Sequence, residues 1–90
     1  MEVVLNKCFG CFSVSKEVCE ILGLKDPYQH IDRMNYNLIK CVRELGDRAN
    51  GSGAKLRVVD LTEDCTDWEI NEYDGYETIT YVVDGRLYHI

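Results

Sequence analysis

Cys8 and Cys11 bracket Phe9 and Gly10 in the stretch NKCFGCFSVSKE, residues 6–17 of a 90-residue chain. A C-x-x-C spacing suits structural zinc when two further ligands stand close together, in a second such pair or as paired histidines. Cys19, Cys41, Cys65, His30 and His89 are instead scattered singly. A thioredoxin-like redox pair is a second reading, since a strand precedes the pair and a helix follows. The pair lies several residues ahead of the helix cap, however, where the dipole lowers a thiol pKa only weakly. The third reading is a tight strand-to-helix turn with half-buried thiols. His30 and His89 have no nucleophile or carboxylate at motif spacing, and HIDR (30–33) is too short to be diagnostic. No catalytic constellation stands out, so neither an enzyme nor a cofactor is expected.

The same loop has a reading as an anion cradle. Backbone N–H groups around Gly10 and at the start of the following helix would face the ligand. Lys7 and Lys16 flank them, although phosphate loops usually carry more than one glycine. On this reading the ligand loop comprises Lys7, Phe9, Gly10, Cys11, Phe12, Ser13 and Ser15. Arg33, Arg43, Arg57 and Arg86 are the side chains suited to bidentate capture of a phosphate, Arg33 and Arg86 being the two assigned to the site. The opposing reading places each arginine in an ion pair or on a solvated face. Trp68, Tyr73, Tyr76, Tyr81 and Tyr88 fall in β-rich runs. Trp68 or Tyr73 would stack on a base, or the tyrosines would pair across strands.

These residues must be positioned by a small number of elements. EVVLNK (2–7) reads as a strand. Ser15 is a helix N-cap, with Val14 and Cys19 able to form a hydrophobic staple and Gly23 ending the helix. Asp26-Pro27 marks a turn. Asn35 caps a second helix whose stripe is Leu38, Ile39, Val42 and Leu45, and Gly46 stops it. DRANGSGA (47–54) is a surface connection. KLRVVDL (55–61) is a strand whose Val58-Val59 pair implies burial on both faces. WEINEY and YETITYVV flank Asp74-Gly75, a two-residue turn of the I′ class. Asp84-Gly85 repeats the signal before RLYHI. The order is β-α-α-β-β-β-β: one α+β domain, 1–90, with two helices on one face of a largely antiparallel sheet of four to five strands.

Ninety residues support one small core, and a hydrophobic fraction of 46% argues against wholesale disorder. The net charge of −6 argues against a nucleic-acid binder. Acids and bases read as interspersed along the chain, unlike the dense carboxylate rows of a DNA mimic. No apolar run approaches the roughly 18 residues of a membrane span. With no leader segment and five cysteines, an odd count, the expectation is reduced thiols and a cytoplasmic setting.

The blocks VVLNKCFG.F.VS, LI..V.ELG..A.G..AKL.VV and W.I.EYDG.E resemble a set of small uncharacterised proteins encoded by phages and prophages. The resemblance covers residues 3 to 77. The family's usual pattern has a second glycine at Cys11, so its loop is not built for a C-x-x-C, and TYVVDGRLYHI departs from the family's short basic-aromatic ending. The phage setting implied by the resemblance suggests a counter-defence role. One reading is a homo-oligomer that sequesters a nucleotide-derived immune signal at a subunit interface. Another is an inhibitor of a host defence protein, such as a CRISPR or restriction component, whose basic groove the acidic Glu69, Glu72, Asp74 and Glu77 near the hairpin would occupy. A small thiol enzyme using Cys8 or Cys11 is the third, and a phage housekeeping or structural adaptor the fourth.

Overall fold

The computed structural model describes all 90 residues. The elements run β1 (Glu2–Asn6), α1 (Lys16–Leu22), α2 (Tyr36–Leu45), a 3-10 turn (Gly46–Ala49), β2 (Leu56–Asp60), β3 (Cys65–Tyr73), β4 (Tyr76–Val83) and β5 (Arg86–His89). This is the α+β order read from the sequence. The local signals account for the boundaries. The Ser15 hydroxyl accepts the Val18 N–H at 3.2 Å, and Asn35 Oδ1 accepts the Leu38 N–H at 3.1 Å. Each cap occupies an N–H that a helix start otherwise leaves unpaired. Asp74-Gly75 and Asp84-Gly85 both take positive φ at both positions, as the I′ turn requires.

The strands form two antiparallel sheets, β1–β2 and β3–β4–β5, which stack rather than join. The reason lies in β1 and β2 themselves. Val4 and Leu56 belong to one buried cluster with Val18, Leu38, Ile39 and Val42 of the helices. Val3, Leu5, Val59 and Leu61 belong to a second cluster with Ile79 of β4. A strand apolar on both faces needs a layer on each side. The helices cover one face of β1–β2, and the outer sheet covers the other with Trp68, Ile70, Ile79 and Tyr81. The Val58-Val59 pair divides between the two clusters as its sequence implied.

β1 pairs with β2 along one edge only. Its other edge is satisfied without a strand. The Val4 N–H donates to the Arg33 carbonyl at 2.9 Å, and the Asn6 N–H donates to Glu77 Oε1 at 2.8 Å. The irregular 25–34 segment thus closes the free side of the first strand. Asp26 and Asp32 shape that segment by accepting the N–H groups of Tyr28 and Met34.

Candidate functional site

The loop after β1 is held from within the chain. The Gly10 N–H donates to the Asp74 carbonyl at 2.8 Å. A Cβ added at Gly75 would fall on the Gly10 carbonyl, and one added at Gly10 would fall on the Gly53 carbonyl. Three loops therefore meet backbone to backbone: 7–15, 50–55 and the β3–β4 turn. Gly10 has a positive φ of +148, and the Gly53 carbonyl leaves no room for a Cβ there. Nearby donors are engaged as well. The N–H groups of Lys7, Val14 and Ser15 go to the carbonyls of Lys55, Pro27 and Ala49. Ser13 is fully buried and its hydroxyl donates to the Ser52 carbonyl at 3.3 Å. Ser15 caps α1, a helix of only seven residues. The amides of Cys8, Phe9, Cys11 and Phe12 have no partner within the chain.

The expected cations are also committed. Arg33 forks onto Glu77, with Nη1 to Oε1 and Nη2 to Oε2 at 2.5 and 2.8 Å. Its guanidinium lies 3.6 Å from the centre of the Phe12 ring. The Glu77 side chain, expected on the acidic surface, is instead nearly inaccessible to solvent because it is bonded to Arg33 and Asn6. Lys7 Nζ donates to the main-chain oxygens of Glu77 at 2.7 Å and Ile90 at 3.1 Å. Asn6 Nδ2 donates to the Gly75 and Cys8 carbonyls, and its Oδ1 accepts the Lys55 N–H. Asn6, Lys7, Arg33 and Glu77 are thus the clasp that fastens the outer sheet to the middle one. Lys7, Gly10, Ser13, Ser15 and Arg33, expected as anion ligands, each make a hydrogen bond within the fold. Arg43, Arg48 and Arg57 pair with Glu2, Glu17 and Asp47, so Arg86 is the one arginine without a carboxylate partner. Arg86 sits opposite Val83, six residues along β4 from Glu77, or about 20 Å.

The cysteines do not converge. Cys11 is exposed and Cys8 half-buried, with its thiol 3.7 Å from the Phe9 carbonyl. No group of three or more His, Cys, Asp or Glu side chains comes together to hold a metal ion.

Burial lowers the Lys7 pKa from its ordinary 10.5, against the opposing pull of the Glu77 charge. Burial raises the Cys41 pKa above its ordinary 9.0, with Glu44 and Glu17 adding to the rise and Lys40 opposing it. The folded state holds the Cys41 proton to a higher pH than the unfolded chain does. Stability contributed by this thiol is therefore full below pH 9.0 and lost as pH rises past it. Lys7 acts in the opposite sense, because the folded state releases that proton first, so stability rises toward 10.5. Urea midpoints from pH 8 to 10.5 should fall less steeply, or rise, in Cys41→Ala compared with the parent chain. An identical pH slope in the two proteins would refute the assignment.

What remains at the surface is the outer sheet. Residues 58–90 carry nine acids and one base, a net of −8, whereas residues 1–57 carry seven acids and nine bases, a net of +2. The charges are segregated by structural layer rather than interspersed. Asp67, Glu69 and Glu72 of β3 and Asp74 of the turn are all exposed. Next to them stands an aromatic tip. Tyr73 is 74% exposed and pairs across the turn with Tyr76, and Phe9, 66% exposed, lies with its ring 5.4 Å from that of Tyr76. Trp68 is elsewhere, half-buried against the second core cluster. Phe9 and Tyr73 are therefore brought to one end, whereas Trp68 and Arg86 are not.

No protein-family model, no curated protein and no solved structure matches this chain.

The charge segregation had a plain signal, the absence of any Lys or Arg between Arg57 and Arg86. The clasp had none, because its members are up to 71 positions apart. No helix is long and apolar enough to cross a membrane.

Proposed function

We propose that this chain is a non-catalytic binding protein that covers a basic surface of a partner protein with its acidic outer sheet, the aromatic tip serving as the anchor. The observation that carries the reading is the exposed Asp67 and Glu69 along β3, with Glu72 and Asp74 at the turn beside Phe9 and Tyr73, and no cation on β3 or β4. Interface hot spots are enriched in aromatic anchors, and complementary charge steers the encounter. The resemblance to phage-encoded proteins supports a host defence factor as that partner. Sequestration of a nucleotide-derived signal has less support, because two of the four cations assigned to the loop and site, Lys7 and Arg33, are bound to internal acceptors.

The test has two arms. Affinity capture from a bacterial host lysate is expected to retain one stoichiometric protein. That protein should elute with salt and should not be retained by the Asp67→Lys/Glu69→Lys double variant or by Tyr73→Ala. The second arm is a thermal-shift panel of cyclic nucleotides and cyclic ADP-ribose derivatives, for which no shift is expected. Retention unaffected by the charge reversals, or a nucleotide shift of several degrees with no retained protein, would overturn the proposal.

A further inference from the structure

We propose that the outer edge of β5 pairs, antiparallel, with the same edge of a second copy of this chain, forming a continuous six-stranded sheet about a two-fold axis at Tyr88. The geometry of β5 fixes which groups are free. Ile79 and Ile90 exchange both main-chain hydrogen bonds, at 2.9 and 3.2 Å. Residues alternate along an antiparallel ladder, so Arg86 and Tyr88 also face β4, and Leu87 and His89 turn their N–H and C=O groups outward. No group of the chain bonds to those four outward positions. All four residues of β5 are exposed, Leu87 at 72%, with neither Pro, Lys nor a bulge to blunt the edge.

Charge selects both the edge and the occupant. The other free edge, β3, carries Asp67, Glu69 and Glu72, and two such edges brought together would set like charges against each other. β5 carries a single cation, Arg86, beside Leu87, Tyr88 and His89. Pairing through β5 leaves the two acidic β3 strands five strand spacings apart, about 24 Å. That exceeds the Debye length of roughly 8 Å at physiological ionic strength, so their repulsion is screened. The two-fold pairing is also self-complementary in its side chains. Trp68, Tyr81 and Tyr88 are cross-strand neighbours in successive strands, and the Tyr81 and Tyr88 rings already stack at 5.5 Å. An axis at Tyr88 sets Leu87 opposite the second copy's His89 and extends this row to six aromatic side chains across the joined sheet. The pairing does not depend on which protein the acidic surface binds.

Sedimentation equilibrium at about 5 and 100 μM tests it. The parent chain is expected to weigh twice its 10.4 kDa at the higher concentration. Leu87→Pro removes an N–H that no group in the same chain accepts, so the β4–β5 ladder survives while the outward donor is lost. This variant should be monomeric at both concentrations, with its dissociation constant raised roughly 100-fold or more and its far-ultraviolet spectrum unchanged. If Leu87→Pro fails to fold, Leu87→Lys, which places like charges at the joint, decides. A parent chain monomeric at 100 μM, or a dimer that persists in the folded Leu87 variant, overturns the proposal.

Discussion

Gly75→Ala is expected to cost about 3 kcal/mol or more, a large share of the roughly 5–15 kcal/mol that holds a small domain together. Two effects add. Gly75 has φ +88, which alone costs an L-residue about 1–2 kcal/mol. The added methyl would also fall on the Gly10 carbonyl, which cannot yield without lifting the turn from the 7–15 loop and breaking the Gly10 N–H to Asp74 bond. Gly85 is the internal control. It occupies the same position of the second I′ turn, at φ +73, with nothing within 4 Å of an added Cβ. Gly85→Ala should therefore lose only the conformational part, about 1 kcal/mol. Urea denaturation of the two variants side by side measures the difference. Equal losses would mean that the three-loop contact contributes nothing.

Glu77→Ala is expected to destabilise by about 3–5 kcal/mol, because it strands two partners at once. The Arg33 guanidinium would remain against Phe12 with no carboxylate, and the Asn6 N–H would lose its only acceptor. Arg33→Ala leaves Glu77 bonded to Asn6 and with only the more distant Lys7 as a countercharge, and should cost a comparable or somewhat smaller amount. The double variant should lose much less than the sum, with a coupling of about 2 kcal/mol or more. Additive losses would show that the pair acts as two separate surface groups. The same cycle bears on function: if Arg33 were reserved for an external phosphate, inorganic phosphate should stabilise the parent chain more than the Arg33→Ala variant.

The local grammar of the fold was readable because it depends on neighbours in sequence. Ser15, Asn35, Asp74-Gly75 and Asp84-Gly85 each specify a cap or turn through atoms within three residues. The division into two sheets was less accessible. The Val58-Val59 pair implied burial on both faces, but not that the covering layer would be the chain's own outer strands, and the same property of Val3-Val4-Leu5 was not read. The loop at Gly10 was the hardest to interpret. A glycine preceding a serine-capped helix has the same sequence whether its carbonyl faces a ligand or another backbone. The partners that decide the matter, Gly53 and Gly75, lie 43 and 65 positions away. Arg33 and Lys7 looked available for the same reason, since Glu77 is 44 and 70 positions distant. The acidic outer sheet, in contrast, was open to inspection once charge was summed by element rather than over the whole chain.

β1 leaves the ribosome well before Glu77, the residue 71 positions downstream that completes one of its edges. The β3–β4–β5 meander needs only two-residue turns and can assemble in microseconds once made. The far end of β1 must instead wait for its acceptor, although Val4, on the same edge, can bond to Arg33 much earlier. At roughly 5–20 residues per second this is an interval of several seconds during which the Asn6 N–H has only water to bond to.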